Sequence, residues 1–322
     1  MKRRKFLQVA ALAPLAAALD PLNLAQAQIP PGTPPQGAPR GGFPSQPQTP
    51  AEYIPTGPGI QVRFLGTGAA DWRGPASNGE LRRNASMLAD RKVIFDLTAT
   101  AVDMVPEEVH PEVIFYTHSH SDHYDPKAAL ALGIKRVYLG DTWVDRAKED
   151  FRKAAEAAGV QVPEIIPLAI GQVVEQDGLT VTALPANHAS NYADELALIY
   201  LIEKDSTRLL YATDTSSLTA LAIKIAGLDR FDRNRRFLTG IIMEATMGLG
   251  YQDDAQMFAH SSVDMVARVV KVLSDGGKYL PVPGQKVYLT HISKSQPVQA
   301  ELDRTIPDPL RAAYDGLEVL FR

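Results

Sequence analysis

The stretch that decides the fold is His118-Ser119-His120-Ser121-Asp122-His123. It follows the apolar run Val113–Tyr116, and a strand that ends there would place three imidazoles and a carboxylate in a loop at the edge of a sheet. Imidazole and carboxylate groups are the ligands that zinc and manganese ions bind in proteins. Because the 322-residue chain has only seven histidines, three of them so closely spaced indicate a metal site rather than a polar surface loop.

Further donors follow short strand-like runs later in the chain. These runs are Leu179–Leu184 before His188, Arg208–Tyr211 before Asp214 and Val287–Leu289 before His291. One loop cannot supply the ligands of two cations, and several strand ends of a sheet sandwich can meet at one edge, where loops carry function. A lone histidine at a strand end is usually only a hydrogen-bonded residue, but the repeated arrangement favours a shared ligand set.

The order of these motifs resembles the metallo-β-lactamase superfamily. The resemblance covers about residues 60–322 and includes residues 64–68 (Phe-Leu-Gly-Thr-Gly) and Asp96. It implies an α/β fold, a four-layer αββα sandwich, with two divalent metal ions at one sheet edge. Zinc is the first expectation, with manganese or iron as alternatives. The implied ligands are His118, His120 and His188 for one ion, Asp122, His123 and His291 for the other, and Asp214 as the bridge.

Such a pair of cations favours hydrolysis. Two ions about 3.5–4 Å apart can share a bridging water and lower its pKa towards neutrality. They also neutralise the oxygens that gain charge in the transition state.

Glu244 and His260 indicate which bond is cut. The segments around them, residues 241–246 and 259–262, resemble two motifs of the phosphodiesterase branch of the superfamily, as in RNase Z. By that resemblance His260, supported by Glu244, is the general acid that protonates a leaving alkoxide. Taken singly, Glu244 could be a surface carboxylate at a strand end, and His260 could stand before a helix capped by Ser261. The predicted catalytic residues are Asp122, His260 and Glu244.

Other segments resemble the cyclic phosphate phosphodiesterase of the carbon–phosphorus lyase pathway. They are residues 185–190, 216–218, 289–293 and 314–319. The resemblance implies a small, and in some cases cyclic, organic phosphodiester as substrate. This chain departs from these relatives in two ways that weaken the prediction of the substrate. Met243 stands where the first motif of the phosphodiesterase branch usually has a histidine. A chain without cysteine also cannot build the cysteine-rich zinc site of such relatives.

The N-terminus resembles a twin-arginine signal peptide over residues 1–27. Paired Arg3 and Arg4 precede the apolar stretch Phe6–Leu19, and Ala25-Gln26-Ala27 has the small-x-small pattern of a cleavage site. The apolar run is too short to span a membrane, so we expect a periplasmic or secreted protein with no anchor after cleavage. A basic amphipathic tail is the alternative.

Composition divides the rest of the chain into two parts. Residues 28–58 are rich in Pro, Gly and Gln, and such a run cannot bury enough apolar surface to fold alone. We therefore predict a linker there and a single hydrolase domain over residues 59–322.

Apolar patterning predicts a mixed α/β domain, with a hairpin at Asp205-Ser206. Strands are predicted at Gln61–Leu65, Val93–Phe95, Val113–Tyr116, Val137–Leu139, Leu179–Leu184, Leu198–Ile202, Thr207–Tyr211, Gly240–Met243 and Val287–Leu289. Helices are predicted at Val144–Ala158, Ser217–Ala226 and Ser262–Ser274.

Charge argues against a nucleic-acid polymer as partner. The net charge is −4, and it becomes −7 without residues 1–27, since 29 basic residues then face 36 acidic ones. A polyanion-binding protein normally has a basic stripe. This chain has one local arginine cluster, in which aspartates are interspersed, and we interpret it as a solvated loop; its members are Arg230, Arg233, Arg235 and Arg236. A small-molecule phosphodiester fits better, and the sequence is compatible with a homodimer.

Two other functions remain open from the sequence. One is hydrolysis of a carbonyl substrate, as in a lactonase or a β-lactamase; the other is metal-dependent binding without catalysis. The presence of seven donors argues against a pure binding protein. Candidates to line the substrate pocket are Trp72, Asn191 and Tyr192.

Overall fold

The computed structural model of the protein describes residues 58–250 and 258–322. The predicted signal peptide and, apart from Pro58, the predicted linker lie outside these ranges. The strands are β1 (Ile60–Gly66), β2 (Ser86–Ala89), β3 (Val93–Phe95), β4 (Val113–Phe115), β5 (Arg136–Gly140), β6 (Glu164–Leu168), β7 (Val173–Gln176), β8 (Leu179–Pro185), β9 (Leu198–Lys204), β10 (Thr207–Ala212), β11 (Gly240–Glu244), β12 (Val287–Thr290), β13 (Leu310–Ala312) and β14 (Glu318–Phe321). The α-helices are α1 (Pro126–Ala131), α2 (Val144–Ala158), α3 (Ala220–Ile225), α4 (Val263–Asp275) and α5 (Gln299–Thr305).

The strands form two mixed sheets of seven strands each within the described residues. The first has the order β14-β1-β2-β3-β4-β5-β6, and the second has the order β13-β12-β11-β10-β9-β8-β7. The N-terminal half of the domain builds most of the first sheet, and the C-terminal strand β14 completes it by pairing antiparallel with β1.

Both faces of the central strands are buried, which explains their nearly continuous apolar sequences. In β9, Leu198, Tyr200 and Ile202 point into the core between the sheets. Ile199 and Leu201 alternate with them and belong to the core on the outer face of the second sheet. A strand in this position needs apolar residues at every place, so its sequence reads as a run rather than an alternation.

Helices cover the two outer faces. Trp143, just before α2, and Phe151, within α2, pack with residues of β4 and β5 on the outside of the first sheet. Val266 and Val270 of α4 and Leu302 of α5 pack on the outside of the second sheet. The layers are therefore helix, sheet, sheet and helix, and the predicted αββα sandwich is confirmed.

The predicted elements form with boundaries close to those expected. All nine predicted strands and the hairpin at Asp205-Ser206 are present, and α2 has the predicted bounds. The predicted helix at 217–226 is shorter, because Thr219 caps α3 by accepting a hydrogen bond from the amide of Ala222 at 3.0 Å. The predicted cap of α4 was wrong by one residue: Ser262 accepts from the amide of Met265, while Ser261 donates to two carbonyl groups.

Seven short elements were not predicted, namely β2, β6, β7, β13, β14, α1 and α5. All seven have only three to seven residues, and several are partly exposed, so they lack a clear apolar period. None of the helices in the described ranges is both long and apolar enough to cross a membrane.

Strand direction brings the predicted donors to one edge. In the second sheet β10, β11 and β12 run parallel, β9 is antiparallel to β10, and β8 is antiparallel to β9. The carboxyl ends of β8, β10, β11 and β12 therefore meet at the same edge. The segment after β4 reaches this edge from the first sheet, where the carbonyl of Thr117 accepts a hydrogen bond from the amide of Leu198.

Candidate metal centre and catalytic site

The structure brings all seven predicted metal ligands together at this edge. Their ligand atoms form two groups, and within each group the atoms lie within 4.8 Å of one another. The first donor group is His118, His120, His188 and Asp214; the second donor group is Asp122, His123, Asp214 and His291. This division is the one that the resemblance implies.

Asp214 lies between the two donor groups. Its Oδ2 is 3.3 Å from Nε2 of His118 and 3.5 Å from Nε2 of His188, both in the first group. The same oxygen is 3.3 Å from Nε2 of His123, and Oδ1 is 3.1 Å from Nε2 of His291, both in the second group. A carboxylate in this position can bridge two cations.

Backbone conformation turns three strand-end residues into the site. Asp96, Asp214 and His291 follow β3, β10 and β12 and have φ angles of 55°, 46° and 55°. Residues other than glycine rarely adopt this left-handed region, which costs on the order of 1–3 kcal/mol. Such strain persists only where the surrounding structure maintains it, and it is concentrated at functional sites.

Hydrogen bonds orient four of the five imidazole rings in the two donor groups. In each of the four, Nδ1 lies within hydrogen-bond distance of a partner outside the groups, so Nε2 is left for the cluster. A second partner of this kind is typical of histidines that bind metals. The partners are Oγ1 of Thr117 for His118 at 2.9 Å, Oδ2 of Asp96 for His123 at 2.9 Å, the carbonyl of Ala259 for His188 at 2.9 Å and Oγ1 of Thr246 for His291 at 2.7 Å.

Electrostatics suits the first donor group to a cation. Burial lowers the pKa of His118, of His188 and of His120, the last to about 4. These imidazoles are therefore neutral near pH 7, which is the form that binds a metal.

The second donor group carries an excess of carboxylate charge. Burial acts to lower the pKa of His123, but Asp214, Asp122 and Asp96 raise it well above its usual value. Burial likewise acts to raise the pKa of Asp214, but His291 and His123 hold it well below its usual range. A divalent cation would balance the negative charge of these carboxylates.

Buried atoms without partners also fit a metal pair. Nε2 of His118, Nε2 of His123 and Oδ1 of Asp214 are inaccessible and make no hydrogen bond to any residue in the described ranges. Leaving such a group unsatisfied costs about 1–3 kcal/mol. Coordination of a cation would satisfy all three, and a donor set of nitrogen and oxygen atoms suits zinc, manganese or iron.

Glu244 and His260 form a pair beside the second donor group. Glu244 is fully buried, and its carboxylate accepts hydrogen bonds from the amide of Thr215 and the hydroxyl of Thr246, each at 2.6 Å. Nδ1 of His260 lies 3.1 Å from Oε2 of Glu244. Burial acts to lower the pKa of His260, but the hydrogen bond and charge of Glu244 raise it to about 9. The alternative of a surface carboxylate at 244 was wrong.

A cavity of about 470 Å³ connects these groups. Its wall contains members of both donor groups together with His260, so a molecule held there would lie beside both groups and His260. Within the described ranges, no lysine or arginine lines the cavity. The lining residues are Ala69, Ala70, Asp71, His120, Asp122, Asp214, Thr246, Met247, His260, His291, Ser293, Ser295 and Gln296.

The three residues predicted to line the pocket do not line this cavity. Trp72 is buried beside it and donates from Nε1 to the carbonyl of Ile292 at 2.7 Å. The side chain of Asn191 donates to the carbonyl of Ser119, and the exposed ring of Tyr192 lies against a guanidinium group. Sequence alone does not give the direction of such side chains.

The arginine cluster lies away from the site. It precedes Gly240, the first residue of β11, whereas Glu244 at the other end of that strand borders the donor groups. Arg236 is paired with Asp232 at 3.2 Å. The interpretation of this segment as a solvated loop agrees with its position.

Sequence reasoning missed Thr246 and Gln296. Thr246 links His291 to Glu244, and Gln296 donates to the carbonyl of Met247 at 3.0 Å on the cavity wall. The position of Thr246, two residues after Glu244, was an available signal, since alternate residues of an extended segment point the same way. Nothing in the sequence marks Gln296.

Comparisons with known proteins agree with the fold. The family described as a β-lactamase superfamily domain matches residues 95–233, less than half of the chain. A UPF0173 metal-dependent hydrolase of Methanopyrus kandleri is 27% identical over 117 residues, 34% of this chain and 47% of that protein. The match thus spans about half the length of this relative.

Two solved structures share the architecture. A diphosphatase from the PhnP family is 20% identical, with a TM-score of 0.54, over 82% of this chain and 98% of that chain. Zn²⁺-bound PqqB from Methylobacterium extorquens is 16% identical, with a TM-score of 0.57, over 80% of this chain and 99% of that chain. At these identities the likeness shows the fold alone.

Proposed function

We propose that this metallo-β-lactamase superfamily protein is an exported, dinuclear metal-dependent hydrolase that cleaves small organic phosphodiesters, cyclic ones included. The observation that carries the proposal is one cavity bordered by both donor groups and by a histidine paired with a buried carboxylate. The M. kandleri relative, a metal-dependent hydrolase by name, supports the reaction class.

Each of the two donor groups would hold one cation, and Asp214 would be shared between them. Bound cations would supply Lewis acidity to the attacking water and offset charge on the phosphate oxygens. Thr246 and Asp96 keep the rings of His291 and His123 in fixed orientations, so that the donors need little rearrangement.

His260 is the proposed general acid. Its Nδ1 is held by Glu244, which leaves Nε2 to give a proton to the leaving oxygen as the P–O bond breaks. Glu244 is itself held by Thr215 and Thr246, so the acid has a defined position in the cavity wall.

The cavity supports a small substrate with little additional negative charge. A volume of about 470 Å³ lies at the low end of the range for small-molecule sites. A polyphosphate or a nucleic-acid polymer would need further cationic side chains, and the acidic net charge does not favour such a partner.

The test compares leaving groups in the zinc- or manganese-loaded enzyme. Removing a general acid is most costly for a poor leaving group, so His260→Ala should lower kcat on methyl phenyl phosphate by about 10²–10⁴-fold. The same change should have a smaller effect on methyl p-nitrophenyl phosphate, because p-nitrophenol is the stronger acid. Glu244→Gln should follow the same trend with a smaller loss.

A panel of lactone substrates distinguishes the proposed phosphodiesterase from the main alternative, a lactonase. Turnover of lactones by wild-type enzyme, without turnover of either phosphodiester, would reject the proposal in favour of a lactonase. An equal loss on both phosphodiesters in His260→Ala would reject the role of His260 while leaving the reaction class intact.

Export is the second part of the proposal. It depends on the paired arginines, the apolar stretch and the small-x-small site within residues 1–27. Replacing Arg3 and Arg4 together by lysine should retain the protein in the cytoplasm, whereas wild-type protein recovered outside it should begin at Gln28. Recovery of uncleaved wild-type protein from the cytoplasm would contradict export.

A further inference from the structure

The loop between β8 and β9, residues 186–197, holds the first donor group from outside the cavity. Glu195 in this loop is buried, with 5% of its surface exposed. Its Oε1 accepts the backbone amide of Ser119 at 2.7 Å, and its Oε2 accepts the hydroxyl of Ser119 at 2.6 Å. The side-chain amide of Asn191, in the same loop, donates to the carbonyl of Ser119 at 3.0 Å. The backbone amide and the backbone carbonyl of Ser119 therefore both form hydrogen bonds with side chains of this one loop.

Ser119 lies between two donors, and the second of them has no fixing partner of its own. In the described ranges, the only hydrogen-bond contact of the His120 ring is from Nδ1 to Nε2 of His188 at 3.2 Å, within the same donor group. The rings of the other four histidines in the donor groups have partners outside the groups. Apart from its contacts with the rings of His118 and His188, the orientation of the His120 ring therefore depends on the position of its main chain.

The main chain of His120 is fixed on both sides. Its carbonyl accepts the amides of His123 and Tyr124, each at 2.9 Å, on the C-terminal side. On the N-terminal side the fixed group is Ser119, which Glu195 and Asn191 hold. We infer that Glu195 is a positioning residue that orients His120 and thereby sets the affinity of the first donor group for its cation. The inference rests on the metal sites of the proposed function.

The two donor groups differ in their dependence on this loop. His188 belongs to residues 186–197, so Glu195 joins the two chain segments that supply three imidazoles to the first group. Of the donors particular to the second group, Asp122 and His123 share the segment 118–123 with Ser119, whereas His291 comes from another segment. The rings of His123 and His291 have partners of their own, Asp96 and Thr246, which do not depend on Glu195. Loss of Glu195 should therefore weaken the first group selectively.

The experiment is a titration of the metal-free protein with Zn²⁺ in competition with a chromophoric chelator, which yields two dissociation constants. The variants His188→Ala and His123→Ala assign each constant to a donor group. Glu195→Ala should weaken the step that His188→Ala abolishes by about 10–100-fold, the usual effect of removing an outer partner of a metal ligand. The other step should stay nearly unchanged.

Two further variants separate positioning from general stability. Glu195→Gln should keep the first constant within about threefold of wild type, because its carbonyl oxygen still accepts the amide of Ser119. Asp315→Ala is a matched control: that partly buried carboxylate also accepts hydrogen bonds from one amide and one hydroxyl, those of Arg83 and Thr67, each at 2.7 Å. It should lower the unfolding temperature of the metal-free protein and leave both constants unchanged.

Unchanged constants in Glu195→Ala, or equal weakening of both steps, would overturn the inference. If Glu195→Ala does not fold, Asn191→Ala carries the test, with weakening confined to the first group expected. A wild-type protein that binds two zinc ions but cleaves no phosphodiester would reject the proposed function and leave this inference standing. A wild-type protein that binds no zinc would reject both.

Discussion

Asp214 is the residue on which both donor groups depend. Its two oxygens face imidazoles of both groups at 3.1–3.5 Å, and its backbone has a φ of 46° that few residue types accept without strain. Aspartate tolerates that conformation, since its short polar side chain can make local hydrogen bonds. Charge and backbone geometry therefore restrict this position to very few amino acids.

The change Asp214→Asn separates these two requirements. Asparagine accepts the left-handed conformation, so we expect a folded protein, but the neutral amide cannot balance two cations. Bound metal, measured by elemental analysis after reconstitution, should fall from the proposed two ions per chain to one or fewer. Asp205→Asn is the control, because Asp205 has a similar φ of 52° in a hairpin away from the site. A variant at 214 that keeps both ions would contradict the bridging role.

At the scale of elements, α2 supports the strand from which the histidine-rich loop leaves. Phe151 of α2 is fully buried, and its ring lies 6.5 Å from that of Tyr116, which follows β4, and 6.1 Å from that of Tyr124 after the loop. The helix therefore packs against both ends of the segment that carries four of the seven donors. Its contribution to the site is mechanical rather than chemical.

Phe151→Ala should reveal that support as a loss of stability. Removing a buried phenyl ring from a core typically costs about 3–5 kcal/mol in the free energy of unfolding, which denaturant titration would measure. Glu156→Ala, on the exposed face of the same helix, should change stability by less than about 0.5 kcal/mol. Equal stability of the two variants would show that α2 does not support the first sheet.

At the scale of the whole molecule, the donor groups combine residues from both sheets. The first sheet supplies residues 118–123, and the second supplies His188, Asp214 and His291. Cations bound between them would stabilise the folded state, because the unfolded chain does not hold these donors together.

Metal removal should therefore lower the unfolding temperature. A ligand at one hundred times its dissociation constant stabilises the folded state by about 2.7 kcal/mol, so calorimetry should show a shift after chelation and recovery when Zn²⁺ is restored. Asp214→Asn should show little of this shift. Identical unfolding temperatures with and without chelator would argue that no cation binds between the sheets.

The strong sequence signals were those that are local. The buried strands were predicted from apolar runs such as the one in β9, and α2 from its 3.6-residue period, because these patterns lie within one element. The edge strand β6 was missed: it contains Pro167 and is partly exposed, so its pattern is weak.

The sequence by itself determined the chemistry: which nitrogen and oxygen donors are available, their order along the chain and the strand ends that carry them. Only the tertiary structure decided how those donors are held and what lies beside them. Glu195 contacts Ser119 across 76 residues, and His291 meets Asp122 across 169 residues. Contacts of that kind depend on how two sheets pack and how each strand end turns. No local pattern of residues encodes that geometry.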